Sequence, residues 1–249
     1  MKTLGLFGKH PLPGHVKTRL ADEVGTEVAT KLYAAFMDDL AFRFRAAGDN
    51  RILGFWPTDS VNFFDQYARL GYELWPQPEG DLGQKIISFF KYALKEEGSR
   101  AVLIGSDSPT LPSEFVDQAF ELLNEADCVL GPATDGGYYL IGLRRPSPAL
   151  FENIAWSGAN VLVQTVQRAT TAGLSLNLLT PWYDVDDLKG LQVLSGHIRA
   201  MTHAGQTHPC PMTASVLEQI HLLEGPARMG SMRCAAKVAL PPTRCRIEA

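Results

Sequence analysis

The sequence predicts an α/β fold in which a largely parallel sheet carries helices on both faces. Three observations predict it. Short apolar runs rich in β-branched and aromatic residues alternate with longer segments of helical period, the pattern of βαβ units. The chain has 249 residues, 45% hydrophobic and 20% charged, which is enough apolar material for the core of one sizeable domain. The basic, proline- and glycine-containing stretch "FGKHPLPGHVKTRL" follows the first apolar run directly. It therefore lies at the carboxyl end of a strand, where open α/β sheets bind ligands.

Strands are expected at Thr3–Phe7, Ile52–Trp56, Tyr72–Trp75, Ala101–Ile104, Cys128–Leu130, Tyr138–Leu143 and Leu176–Leu179. The first long helix is expected over Glu27–Ala46, with Val28, Leu32, Phe36 and Leu40 on one face, Thr26 as its N-cap and Gly48 just past its end. Amphipathic helices are also expected over Val61–Leu70, Gln84–Lys95, Ser113–Asn124, Asn160–Ala172 and Val185–His197, with Met212–Leu223 after a proline-containing linker. The closing stretch "PARMGSMRCAAKVALPPTRCRIEA" is basic and without stable period. One domain is thus drawn over residues 1–205. Residues 206–249 are read as a C-terminal helix and a basic tail expected to be partly disordered.

A formal net charge of −4 argues against a general nucleic-acid binder, whose affinity rests on many cation–phosphate contacts. The apolar runs fall well short of the ~20 residues that span a bilayer. The N-terminus shows no apolar signal region, so a cytoplasmic protein without membrane partner is expected. Cys128, Cys210, Cys234 and Cys245 show no CxxC spacing and read as reduced thiols. His203, His208 and Cys210 cluster in "THAGQTHPC", but without the paired spacing of metal-ligand signatures.

Within the opening loop, which begins at Phe7, Gly14 allows backbone amides close to a ligand and Pro11 and Pro13 restrict the chain. Lys9, Lys17 and Arg19 supply charge suited to a di- or triphosphate. The loop has neither the Walker A nor the GxGxxG pattern, and the competing reading is a solvated surface turn. In "VLIGSDSPTLP" the strand delivers Asp107 at its tip, as a metal ligand or as a cap for the helix near Ser113. In "WYDVDDLKGL", extended alternation puts Asp184 and Asp186 on one face, where either could complete a metal site, with capping of the following helix the competing reading for Asp186. Asp187 belongs with the first helical turn.

In "GPATDGGYYLIGL", Gly131, Gly136 and Gly137 flank Asp135. The carboxylate could hold a sugar hydroxyl or act as a base, while spacing alone favours a plain hairpin. "PEGDLGQK" places Gly80, Asp81, Leu82 and Gly83 at a helix start that could seat a base or ribose. Trp156 and Ser157 either line an acceptor pocket or, for the tryptophan, belong to the core.

Taken together and in order, "FGKHPLPGHVKTRL", "GDLGQK", "GSDSPTLP", "GPATDGGYYLIGL" and "DVDDLKGL" resemble the DUF2064 family, also described as rSAM/selenodomain-associated transferase 1 proteins. The resemblance runs from about Lys2 to Leu191. The "KTRL" segment is also similar to the corresponding loop of the phospholactate guanylyltransferases. The resemblance implies a single Rossmann-like GT-A domain of the nucleotide-diphospho-sugar transferase superfamily, working with Mg²⁺ or Mn²⁺. It implies that Lys9, Lys17 and Arg19 cradle the nucleotide phosphates and that Asp107 and Asp186 hold the metal. It also implies that Asp135, Gly136 and Gly137 face a sugar and that the Gly80–Gly83 turn sits near the base. One departure is Gln84-Lys85, where the family commonly has an acidic residue and then arginine, so charge is kept at Lys85 but the bidentate fork is lost. The implied activity is glycosyl transfer from a nucleotide-diphospho-sugar to a small acceptor. Nucleotidyl transfer with release of pyrophosphate is the second reading, and a nucleotide-binding module without catalysis the third.

Overall fold

The computed structural model describes residues 1–156 and 158–222; Ser157, Cys234, Cys245 and the basic tail lie outside the described residues. Seven strands form one sheet: β1 (Lys2–Lys9), β2 (Asn50–Trp56), β3 (Glu73–Pro76), β4 (Arg100–Ile104), β5 (Cys128–Pro132), β6 (Tyr138–Leu143) and β7 (Leu176–Leu178). Their order is β3-β2-β1-β4-β6-β5-β7. Only β6 runs against its neighbours, β4 and β5, and the other pairings are parallel. The sheet is thus the mostly parallel, mixed α/β arrangement that the sequence predicts.

The helices are α1 (Thr18–Val24), α2 (Thr26–Arg43), α3 (Val61–Ala68), α4 (Leu82–Ala93), α5 (Ser113–Leu122), α6 (Val161–Thr171), α7 (Leu188–His203) and α8 (Pro211–Gln219). Strand alternation divides the core between two faces. On one face Leu4 and Leu6 of β1 pack with Met37 and Leu40 of α2, Phe64 of α3 and Phe120 of α5. On the other, Phe89 and Phe90 of α4 and Ala169 of α6 cover Leu103, Leu130 and Ile141. The α4 side demands a glycine in β1: a Cβ on Gly5 would sit 2.3 Å from the Phe89 ring.

A third cluster joins α1, α2, α7 and α8 through Leu20, Phe36, Leu191, Leu194, Ala214 and Leu217, all buried. The Asp39 carboxylate of α2 accepts from the backbone N–H groups of Met212 and Thr213 at 2.9 and 2.8 Å, and from the Thr213 hydroxyl at 2.6 Å. Cys210 is buried in this cluster and Cys128 beneath α4 and α6, both as free thiols.

Three local expectations change. Residues 18–24 form a helix where the sequence reads only as loop. Gly25, with φ 86°, precedes α2, so Thr26 is its first residue rather than its cap. Helix α7 begins at Leu188, not Val185, because the Asp187 carboxylate accepts from the Gly190 N–H at 2.9 Å and caps it there. The Val185 N–H instead donates to the Asp107 carbonyl at 2.9 Å. Among the described residues, no helix is long and apolar enough to cross a membrane. Nor is any group of three or more His, Cys, Asp or Glu side chains among them placed to hold a metal ion, which includes the His203 to Cys210 stretch.

Candidate functional site

The chain runs on from β1 to β2 on one side and from β4 towards β5 on the other, and a crevice lies at the carboxyl ends of β1 and β4. A cavity of about 550 Å³ occupies it. Tyr33 of α2 forms part of its floor. Its phenol accepts from the Lys9 N–H at 2.8 Å and lies 2.9 Å from the Ser106 hydroxyl, tying the ends of β1 and β4 together. Burial and the nearby Asp107 push the Tyr33 phenol up to about 12, so it stays a neutral hydrogen-bonding group. The loop carrying Asp107 is fixed from behind by Arg43, whose guanidinium donates to the carbonyls of Pro109, Leu111 and Pro209.

At the mouth of the crevice Lys17 meets two carboxylates. Its ammonium lies 2.5 Å from Asp107 Oδ1 and 2.8 Å from Asp186 Oδ1, and Arg19 reaches Asp186 Oδ2 at 2.6 Å. The Lys17 side chain is 3% exposed, against 45% for Asp107 and 30% for Asp186. Burial alone would lower the Lys17 pKa, but Asp107 and Asp186 override it and hold the lysine above its ordinary value. Burial likewise pushes the Asp186 carboxyl up, and the Lys17 ammonium and Arg19 guanidinium reverse this and hold it low. Lys17 directly precedes α1 and has left-handed backbone angles, φ 48° and ψ 44°, uncommon for a lysine.

Of the two aspartates left open by alternation, Asp186 faces the cations. Asp184 accepts from the Ser108 hydroxyl at 2.5 Å instead. Burial, opposed by that hydrogen bond and aided by the charges of Asp107, Asp135 and Asp186, raises its carboxyl to about 7. Asp107 and Asp186 together present oxygen donors around one cationic centre, the donor set that suits Mg²⁺ or Mn²⁺ when a substrate phosphate supplies further oxygens.

Lys9 and Lys85 line the same cavity with Phe7 and Leu82. Neither lysine enters an ion pair among the described residues. Burial and the neighbouring Lys9 lower the Lys85 pKa, and its ammonium rests 4.1 Å from the centre of the Trp56 ring. Asp81 and Gln84 form a capping box at the start of α4, Asp81 Oδ1 accepting from the Gln84 N–H at 2.8 Å and Gln84 Oε1 from the Asp81 N–H at 3.0 Å. Gly80, with φ 120°, lies beneath the Gln84 side chain. Gly83 packs on Trp156, whose Nε1 would lie 2.9 Å from a Cβ there.

Gly14, Gly80, Gly83, Asp135, Gly136, Gly137 and Trp156 do not line the cavity itself. Asp135 lies in the loop of the β5–β6 hairpin and accepts from the Gly137 N–H at 2.8 Å, the hairpin that spacing alone favours. Gly136, φ 93°, has no room for a side chain: a Cβ would fall 2.1 Å from the Ala159 carbonyl oxygen. Trp156 stacks on Phe151 at 6.5 Å and joins the core edge around α4.

Residues 42–158 match the profile of a family described as "Uncharacterized protein conserved in bacteria (DUF2064)". A crystal structure of a candidate nucleotide-diphospho-sugar transferase from Desulfovibrio desulfuricans G20 superimposes with a TM-score of 0.79 at 32% identity, covering 89% of this chain and 96% of its own. The chain belongs to the DUF2064 family. A 4-diphosphocytidyl-2C-methyl-D-erythritol synthase from Anaerococcus prevotii DSM 20548 has a TM-score of 0.53 at 10% identity, with 80% of this chain and 98% of that one covered. The inositol-1-phosphate CTP transferase from T. maritima has a TM-score of 0.51 at 12% identity, with 87% and 96% covered. At such identities these two share the fold with the DUF2064 chain. No curated protein matches it.

In this DUF2064 protein the profile match includes Asp107 and the Gly80–Gly83 turn but neither Lys17 nor Asp186. Those two join the site through tertiary contacts 169 residues apart in the chain. Sequence reasoning missed Tyr33 and Arg43. Both belong to α2, and the available signal was a tyrosine and an arginine within a helix read for its apolar face alone. Chemically, the arrangement offers two carboxylates for a hard cation, four cationic side chains for phosphate oxygens, and an apolar floor.

Proposed function

We propose that this protein is a Mg²⁺- or Mn²⁺-dependent transferase that binds a nucleotide-diphospho-sugar and passes its glycosyl group to a small acceptor. One observation carries the reading: Asp107 and Asp186 converge on a single cationic centre in the crevice that also holds Lys9 and Lys85, neither of them in an ion pair among the described residues. The similarity to the Desulfovibrio protein, itself described as a candidate for this class, supports the choice of donor. A divalent cation held by Asp107 and Asp186 would neutralise charge on the departing nucleoside diphosphate. Lys9, Lys85 and Arg19 bind and orient the phosphates, and fixed charges at the leaving group supply much of the rate acceleration in such transfers. Phe7, Leu82 and the first turn of α4 give the base an apolar wall, with Gly80 and Gly83 shaping that turn. The resemblance would also turn Asp135, with Gly136 and Gly137, towards the sugar and Trp156 towards the acceptor, from outside the lining of the cavity.

Nucleotidyl transfer is a second reading, favoured by one feature. Lys9, Lys17, Arg19 and Lys85 all line one cavity, a density of positive charge that suits a triphosphate at least as well as a diphosphate.

A thermal-shift screen against nucleotide-sugars, NDPs and NTPs, with and without Mn²⁺, tests both. Ligand at about 100 Kd adds ~2.7 kcal/mol, and each kcal/mol raises Tm by roughly 2–4 °C at this length. A nucleotide-sugar that stabilises only with metal, and not in Asp107→Asn, supports glycosyl transfer. A metal-dependent response to an NTP alone moves the assignment to nucleotidyl transfer. Tight binding without turnover of any donor makes the protein a binding module, and no response to any nucleotide refutes the whole reading.

A further inference from the structure

We propose that Lys17 is a displaceable counter-cation: its ammonium stands where the dication must enter between Asp107 and Asp186, so metal binds only as Lys17 moves away to the substrate's phosphates. The inference rests on the metal reading above and adds to it a coupling between metal and phosphate. It starts from the two contacts of 2.5 and 2.8 Å that one ammonium makes with the two proposed metal ligands. A dication bound by the same oxygens would face that ammonium at contact distance, and like charges so close repel strongly. Either the metal stays out or the lysine leaves.

The surroundings favour a side-chain movement over a rearrangement of the loop. Val16 and Leu20 are buried on either side of Lys17 and anchor the backbone. The lysine stem is flexible and can swing its ammonium within the same cavity that holds Lys9 and Lys85. With Lys17 paired to the carboxylates, the empty site is neutralised internally and metal alone binds weakly. Substrate phosphate gives the ammonium an alternative partner, so metal and phosphate each favour the other's binding by the same factor, as linkage requires.

The test is Mn²⁺ binding without nucleotide, read from the EPR signal of free Mn²⁺, for the wild type, Lys17→Met, Lys17→Arg and Asp107→Asn. Lys17→Met should bind Mn²⁺ about tenfold more tightly than the wild type, within the usual range of couplings. Lys17→Arg, which keeps the charge, should resemble the wild type, and Asp107→Asn should lose the site. Equal or weaker binding by a folded Lys17→Met overturns the counter-cation and leaves the metal reading standing. No binding in any variant overturns the metal reading and the inference with it.

A measurement on the unmodified protein guards against a misfolded variant. Lys17, 3% exposed, should resist amine-labelling reagents, become reactive at saturating Mn²⁺ without phosphate, when the metal has expelled it from the carboxylates and no anion re-pairs it, and be protected again by inorganic pyrophosphate, as seen by peptide mass spectrometry. Labelling that does not rise with saturating Mn²⁺ alone overturns the displacement.

Discussion

The Tyr33 phenol lies 2.9 Å from the Ser106 hydroxyl and accepts from the Lys9 N–H at 2.8 Å, so one buried side chain joins the two strand ends that frame the cavity. Tyr33→Phe leaves both partners short of a hydrogen bond. It should cost about 1–3 kcal/mol, or roughly 2–4 °C in Tm per kcal/mol. It should also weaken metal-dependent nucleotide binding, because the Lys9 backbone loses its anchor. A variant with wild-type Tm and affinity would show that the floor does not depend on this link.

Lys9 and Lys85 face the same cavity, and among the described residues neither forms an ion pair. Lys85→Met should therefore leave the Tm of the ligand-free protein unchanged or slightly raised, since a repulsion is removed. Affinity for inorganic pyrophosphate should fall about tenfold or more, the scale of one lost charge-assisted contact. The salt dependence of pyrophosphate binding should flatten in parallel. Calorimetric titration at two ionic strengths reads both effects, and unchanged pyrophosphate affinity would remove Lys85 from the site.

The acid limb of the stability curve should depend on Asp127. Burial pushes its carboxyl up, but the Ser175 backbone N–H, the Arg144 guanidinium and the Ser175 hydroxyl reverse this and hold it low. A carboxyl held lower in the folded state than in the unfolded chain binds fewer protons when folded. Its stabilisation is therefore complete above the ordinary aspartate value of about 3.9 and is lost as pH falls further. Asp127→Asn should lower Tm at neutral pH, by about 1–3 kcal/mol of stability, and flatten the fall in Tm below that value. Parallel acid limbs in the two proteins would contradict the assignment.

The hairpin loop separates a structural glycine from a chemical carboxylate. Gly136→Ala must fit a Cβ at 2.1 Å from a backbone oxygen in a left-handed conformation, so it should be strongly destabilised, by more than about 1–3 kcal/mol. Asp135→Asn keeps an acceptor for the Gly137 N–H and should hold Tm close to wild type. If Asp135 faces the sugar, that variant loses turnover while folding normally. Normal turnover in Asp135→Asn would confine the residue to its turn.

The strands and long helices were legible because their signals are local. The apolar run "TLGLF" and the i, i+4 spacing of Leu32, Phe36 and Leu40 are each visible within a few residues, and the structure buries Leu4, Leu6, Leu32, Phe36 and Leu40. Helix α1 was hidden because seven residues between a proline-rich loop and Gly25 carry too little periodicity to show. The positive φ of Lys17 could not be anticipated either, since nothing about a lysine advertises it. The choice between Asp184 and Asp186 escaped the sequence for another reason. It is made by partners far along the chain, Ser108 for one and Lys17 with Arg19 for the other. Individual charges were readable in the sequence, whereas their pairing is a property of the fold.

The hold of Asp39 on the first turn of α8 spans 173 residues or more and has a consequence for the nascent chain. Helices α1 and α2 are synthesised early, yet Leu20, Leu32 and Phe36 gain their final cover only from α7 and α8. Until α7 and α8 emerge, the growing polypeptide carries an open apolar surface on α1 and α2. Transiently exposed apolar surface of this kind is what chaperones bind. Ribosome profiling of chaperone-bound nascent chains should show engagement after α2 emerges and release only once residues 211–222 have cleared the exit tunnel.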